Sequence, residues 1–227
     1  IEPVTSTFQR ARRPEQLAAR RSAILAAARA ALESRRIDEV TLRDISEGVG
    51  LAKSNVLRYF DSREAIFLEL LDDECRAWLV ELEDGFGRPR ARKPDYANEI
   101  RVADIIAETL AQRQLMCELL GAMAGVLERN ISVEFARDFK VRAMGNIAAL
   151  CDLIGRQLPW LPAEFVGFIG EGALTLAAGM YPFSVPTEPV RQAMAELDFP
   201  DPQCQFLKGL RTGLATWLIG AAAQSPS

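Results

Sequence analysis

The sequence predicts an all-α protein in which a small N-terminal three-helix unit is joined to a larger helical bundle. Three observations carry that prediction. Prolines, poorly tolerated inside helices, fall at 3, 14, 89, 94, 159, 162, 182, 186, 189, 200, 202 and 226, leaving proline-free runs at 15–88, 95–158, 163–181 and 203–225. Within those runs apolar residues recur at three- and four-residue spacing, and no stretch sustains the two-residue alternation of a strand. An apolar share of 49% over 227 residues is ample for a core, and no internal repeat or low-complexity segment interrupts it.

In chain order, residues 1–13, with Arg10, Arg12 and Arg13, read as a flexible basic arm. Helix 1, about Glu15 to Arg35, turns Leu17, Ile24, Ala27, Ala28, Ala31 and Leu32 to one face and leaves Arg20 and Arg21 to solvent. A second helix starts at Thr41, whose hydroxyl is a capping group with Asp44 three residues on, and runs through Ile45 to Val49, where Gly50 stops it. The next run, Ala52 to Phe60, puts Val56 and Phe60 on one face and leaves Lys53, Ser54, Asn55 and Arg58 pointing elsewhere. A tight glycine turn between two short helices, apolar inside and donor-bearing outside, is helix-turn-helix geometry. Helix 4 starts at Asp61 or Ser62, with Asp61 and Glu64 as a capping box. Arg63 puts a base in the first turn, where the helix dipole favours an acid, and so points to a nearby phosphate. The helix continues through Phe67, Leu70, Leu71, Cys75, Trp78, Leu79 and Leu82 to Gly85, long enough to enter the second unit, with Asp72, Asp73 and Glu74 as a solvated face. The domains are therefore 1–13, 14–61 and 62–227.

Gly85 to Pro94, with four bases, reads as a solvated loop. Helical stretches follow at about 95–112, 114–129 and 133–157, then a turn at Trp160 to Pro162 and two long helices at 163–181 and about 202–223. Those last two are rich in small residues, Gly167, Gly170, Ala173 and Ala177 on one and Gly209, Gly213, Ala215 and Gly220 on the other, which asks for close helix approach. Phe165 to Phe183 is long enough to raise a membrane question, but Glu171 and its spaced small residues make it a buried or interface helix, so no membrane is expected.

The chemistry is sparse. The chain has no His, and no carboxylate pair, nucleophile with a base, metal-ligand spacing or phosphate loop is recognisable, so no enzyme activity, cofactor or metal is expected. Cys75, Cys117, Cys151 and Cys204 read as reduced core thiols, with a redox-sensing pair as the sharper alternative. No signal peptide is visible at Ile1 to Arg13, so the expected location is cytoplasmic. Charge is uneven: residues 1–63 hold 12 Lys/Arg against 8 Asp/Glu, while the remainder holds 15 against 23. An acidic body leaves the basic end to meet nucleic acid, and the arm is then either a solvated tail or a reach into phosphates and the minor groove.

Thr41, Ile45-Ser46, Val49-Gly50-Leu51, Tyr59-Phe60 and Ser62-Arg63-Glu64, at their spacing, resemble the DNA-binding domain of TetR-type transcriptional regulators over roughly residues 15–75. Three positions depart from that pattern: Ala52 where Ser is usual, Ser54 where Gly is usual, and Leu57 where Tyr is usual. Ala52 weakens the cap of the second helix, and Leu57 lacks a phosphate-binding hydroxyl that Arg58 would have to replace. The resemblance implies a repressor that binds a palindromic double-stranded operator as a homodimer. Lys53, Ser54, Asn55 and Arg58 would then lie at or beside bases, and Thr41, Arg43, Tyr59 and Arg63 on phosphates. It also implies an effector-binding and dimerisation domain. The dimer interface would draw on Gly167, Gly170, Ala173, Ala177, Gly209, Gly213 and Trp217. A small, mostly apolar effector would sit among Trp78, Met116, Met123, Phe135, Phe139, Met144, Phe168 and Met180, residues that taken alone read as core. A helical ligand-binding or protein-interaction module without operator binding stays open as the alternative.

Overall fold

The computed structural model describes the backbone of residues 6–224 and the side chains of residues 14–224. Among the described residues there are ten α-helices, one 3-10 turn and no strand. The head consists of α1 (Ser6–Leu32), α2 (Leu42–Gly48) and α3 (Lys53–Val56). Helix α1 packs on α2 and α4 through Ile24, Ala28 and Leu32, a stripe at four-residue spacing buried to 8% exposure or less. It starts earlier than expected and runs through Pro14, because one proline removes a single i to i−4 bond without ending a helix that is otherwise well formed. Residues 6–13 of the expected flexible arm are thus helical; residues 1–5 and the arm's arginine side chains lie outside the described residues. Leu17 is exposed, not part of the buried stripe.

The turn after α2 is closed by two backbone bonds, Gly50 N–H to the Glu47 carbonyl (3.1 Å) and Leu51 N–H to the Ser46 carbonyl (2.9 Å), with Gly50 at φ +67°. This pairing satisfies the last carbonyls of α2 and needs a left-handed residue at position 50, which only glycine adopts without strain. At the other end the expected cap forms: the Thr41 hydroxyl accepts from the Asp44 amide (3.3 Å) and the Asp44 carboxylate accepts from the Thr41 amide (2.7 Å).

Helix α4 (Arg63–Phe86) joins head and body. Its cap is Ser62, whose hydroxyl accepts from the Ala65 amide (3.0 Å), and not an Asp61–Glu64 box. Asp61 instead accepts from the Ser132 hydroxyl (2.7 Å). Around α4 stand α5 (Ala97–Gln112), α6 (Gln114–Met123) and α7 (Val133–Gln157); α8 (Ala163–Ser184) packs on α6 and α7, and α10 (Pro202–Gln224) packs on α5 and α8. Phe67, Leu70, Trp78, Leu82, Ile106 and Leu119 form the middle of the core. The expected helix at 114–129 ends at Met123, and a 3-10 turn takes Leu127–Arg129. Helix α9 (Glu188–Glu196) was hidden by proline spacing: Pro189 occupies its first turn, where a missing N–H costs nothing.

The small residues assigned to contacts between copies are mostly used inside one chain. Gly170, Ala173 and Ala177 are buried, and a Cβ on Gly170 would lie 2.6 Å from the Cys151 sulfur. Gly209 and Gly213 face Met180 and Leu176, and Trp217 lies over Gly172, where a Cβ would meet its ring at 2.8 Å. The close approach is therefore α8 to α7 and α8 to α10. Gly167 alone of the set has open space in front of it. Helix α8 is apolar and long enough to cross a membrane by length and composition, yet its stripe from Val166 to Ser184 packs on the core. Only 28% of its apolar window is buried, and the uncovered side shows Phe168 and Phe183 at 61% and 80% exposure.

Candidate functional site

Helix α3 is a single turn, shorter than the expected Ala52–Phe60 helix. Ala52 supplies no side-chain cap, and beyond Val56 the chain tightens into i to i+3 bonds at Arg58 (3.3 Å) and Tyr59 (2.9 Å). Val56 and Phe60 still point into the head, at 0% and 3% exposure. Lys53, Ser54, Asn55 and Arg58 are exposed, and their side chains make no hydrogen bond or ion pair among the described residues. They form one solvent-facing set of unused donors. Of the remaining predicted contacts, Thr41 is exposed but engaged in its cap, and Arg43 is exposed and paired with Glu47 (2.7 Å). Asp44 in that cap is held well below the usual carboxylate range, first by the Thr41 hydroxyl and amide and then by Arg35. Tyr59 is half-buried, with its carbonyl accepting from Arg21.

Arg63 is the correction in this group. Its guanidinium turns inward, donating to the Val40 carbonyl (2.9 Å) and twice to the Glu64 carboxylate (3.0 and 2.8 Å), and lies over the Phe67 ring. The base in the first turn of α4 is explained by buried Glu64 beside it, which removes the reason for invoking a phosphate.

Behind this face a chain of ion pairs runs into the body. Arg21, expected to be a plain surface charge, stacks on Phe60 (4.2 Å) and pairs with Glu69 on α4 (3.4 Å). Arg142 on α7 holds the same Glu69 (2.9 Å) and also Asp72 (3.1 Å), and the Asn146 amide donates to Asp72 (2.8 Å). Nearby, Glu74 is gripped by Arg29 of α1 and Arg113 (3.1 Å). Asp72 and Glu74 are thus 3% and 8% exposed, where the sequence suggested a solvated acidic face. Arginines that arrive from other elements, joined at Asp72 by Arg76 one turn along α4 (3.3 Å), neutralise them.

Asp72 faces a cavity of about 560 Å³ enclosed by α4, α6, α7 and α8. Leu71 and Cys75 line it from α4, Leu120 and Met123 from α6, Phe139, Ala143, Asn146 and Ile147 from α7, and Glu171, Leu174, Thr175 and Ala178 from α8. Of the eight residues expected there, Met123 and Phe139 line it. Phe135 stacks on Phe139 (6.4 Å) outside the lining, and Trp78 and Met116 are core. Met144 is 69% exposed, Phe168 lies against Trp217 on the outer face, and Met180 lines a separate groove with Phe183, Met194 and Phe199. The eight residues lie on the four helices that border this cavity, but six of them are on other faces. The signal that would have found the lining is a polar residue inside an apolar stripe, as at Asp72 and Asn146. A larger groove of about 810 Å³ beside Leu79, Cys151 and Val166 opens to solvent and is bordered by the Glu83–Arg156 pair (2.8 Å), so the more apolar cavity is the better small-molecule site.

Two of the four thiols are held unreactive by burial. Burial pushes Cys75 and Cys117 up to about 12, so both stay protonated, and all four cysteines are free. Cys204, expected in the core, is exposed at the start of α10. No cluster of metal-ligating residues exists among the described residues.

Comparison with known proteins follows the same division. Residues 24–70 match the tetR family of bacterial regulatory proteins, and residues 72–225 match the tetracyclin repressor-like C-terminal domain. The HTH-type transcriptional regulator EthR of Mycolicibacterium smegmatis is 38% identical over 53 residues, 23% of this chain; the chain spans about a quarter (24%) of the length of that curated relative. Two solved structures share the fold over most of the chain. The TetR family repressor AlkX of a Dietzia species, implicated in biodegradation of n-alkanes, aligns with a TM-score of 0.52 and 19% identity over 89% of this chain and 96% of its own. FadR of Bacillus subtilis, in complex with stearoyl-CoA, aligns at 0.53 and 13% identity over 88% of this chain and 98% of its own. With one match on the glycine-turned head and another on the bundle that begins within α4, the chain belongs to the TetR family of bacterial regulatory proteins.

Proposed function

We propose that this protein is a homodimeric transcriptional repressor that binds a palindromic operator through α2 and α3 and is released from it by a small effector held in the body. Lys53, Ser54, Asn55 and Arg58 read bases and adjoining phosphates, and Thr41, Arg43 and Tyr59 grip the backbone. Two recognition turns must meet major-groove faces about 34 to 36 Å apart, so a modest change in their spacing loses the operator. The observation that carries the reading is α4, which seats the head with its first turns and walls the cavity with Leu71, Asp72 and Cys75. Whatever fills the cavity bears on the same rigid element that positions α3. The uncovered face of α8, with Phe168 and Phe183, supplies the apolar surface for a second copy. The stearoyl-CoA held by FadR supports a small-molecule role for a body of this fold. Such a regulator works in the cytoplasm, where its DNA is.

The test is fluorescence anisotropy with duplex DNA from upstream of the protein's own gene against a random duplex. The expected result is tight binding to the first, with Asn55→Ala changing sequence preference and Arg58→Ala weakening binding to all sequences and lowering the salt slope by about 1. Equal loss on both duplexes for Asn55→Ala removes its base-reading role. The uncapped single-turn α3 and the exposed Leu57 favour a second reading, a helical ligand-binding module without operator binding. Absence of binding with and without small molecules would establish it.

A further inference from the structure

We propose that the cavity between α4, α6, α7 and α8 takes an organic cation, an apolar body carrying one protonated amine that pairs with Glu171. This rests on the reading of that cavity as the effector site. Its walls are mostly apolar, and the charged residues among its described lining are the two carboxylates Asp72 and Glu171, with no Lys or Arg. Asp72 is nearly fully buried, with Asn146 on one oxygen and Arg142 and Arg76 (3.3 Å) on the other. Neither arginine is among the cavity's described lining; both border a second cleft with Glu69, Asp72 and Asn146. An anionic ligand would have to pull Arg142 from Glu69 and Asp72 to gain a partner.

Glu171 supplies the second half of the argument. It stands at the mouth on α8, and its carboxylate makes no hydrogen bond or ion pair among the described residues; only its backbone carbonyl is used, by Thr175 (3.0 Å). Water satisfies that carboxylate while the mouth is open. A ligand that covers it removes the water, and in the lower dielectric an ammonium group restores what was lost whereas a carboxylate or phosphate adds repulsion. A neutral ligand leaves the charge uncompensated. Charge complementarity therefore favours the cation over both.

Calorimetric titration of the full chain at pH 7 with decylamine, 1-decanol and decanoate, each below its micelle concentration, tests this on three ligands of one length. Decylamine is expected to bind at least about tenfold more tightly than decanoate. Glu171→Gln should shrink that preference severalfold and tighten decanol binding, while Ala143→Trp, which fills the cavity, should abolish binding of all three. Thermal melts confirm that both variants fold. Decanoate binding as well as decylamine, or a decylamine affinity indifferent to Glu171→Gln, overturns the cation assignment alone. If none of the three binds, or if Ala143→Trp binds them as the parent does, the effector site itself is misplaced and the assignment falls with it.

Discussion

Arg63 shows how a residue's environment reassigns its chemistry. Its head is 21% exposed and its partner Glu64 10%, so the pair is taken largely out of water and held by geometry on the Val40 carbonyl. Truncation leaves Glu64 charged, buried and unmatched, which costs about 2 kcal/mol. Arg63→Ala is therefore expected to lower the urea midpoint while the isolated salt slope on DNA stays as in the parent; an unchanged midpoint with a slope lower by about 1 would return Arg63 to the phosphates. Glycine positions divide in the same way. At Gly172 a Cβ meets the Trp217 ring at 2.8 Å, and the ring is fixed by its edge contact with Phe168, so Gly172→Ala should destabilise by about 1–3 kcal/mol. Gly220 on α10 has open space, and Gly220→Ala should stabilise by up to about 1 kcal/mol through helix propensity. Opposite shifts in melting temperature check the pair.

At the scale of elements, α4 is held from both sides by charges it shares. Glu69 takes Arg21 from the head and Arg142 from the body, and Arg142 reaches on to the wall of the cavity at Asp72. A ligand that shifts α7 against α4 is thereby felt at the carbonyl of Tyr59, which Arg21 also holds. Glu69→Gln keeps the shape and removes the charge. It should leave ligand-free DNA affinity near that of the parent and reduce the ratio of affinities with and without ligand by about fivefold, as two anisotropy titrations would read. An unchanged ratio means that coupling runs through apolar packing of Phe67, Leu70 and Leu71 alone. Helix α9 makes a different point. It buries no residue of its own, although Val190, Ala193 and Met194 share one face; the prolines around it hid it, and it forms because Thr187, Glu188 and Pro189 suit a helix start.

For the whole molecule, the apolar side of α8 is an uncovered surface. Phe168 and Phe183 stand out from a helix whose apolar window is mostly uncovered, a poor arrangement for a lone protomer. Phe168→Lys together with Phe183→Lys should convert a dimer to a monomer in sedimentation velocity and weaken operator binding by about tenfold or more, since one half-site is lost. A dimer that persists in the double variant places the interface elsewhere. The glycine-rich stripes pull α8 onto α7 and α10 inside the chain, so a contact between copies, if it forms as proposed, would use the residues they push outward.

The sequence by itself determined the local features: the all-α class, the Thr41 cap, the Gly50 turn, the exposed set Lys53, Ser54, Asn55 and Arg58, and a fourth helix long enough to join two units. Each depends on neighbours within a few residues, where helix periodicity and turn chemistry act. Tertiary structure decided the rest. Which face of α7 and α8 lines the cavity, which glycines meet a ring, why Asp72 and Glu74 tolerate burial, and where Arg21 and Arg63 point all depend on side chains that arrive from dozens of residues away. A carboxylate on a helix reads as solvated until an arginine from another helix is seen to cover it, and no spacing within one helix records that partner.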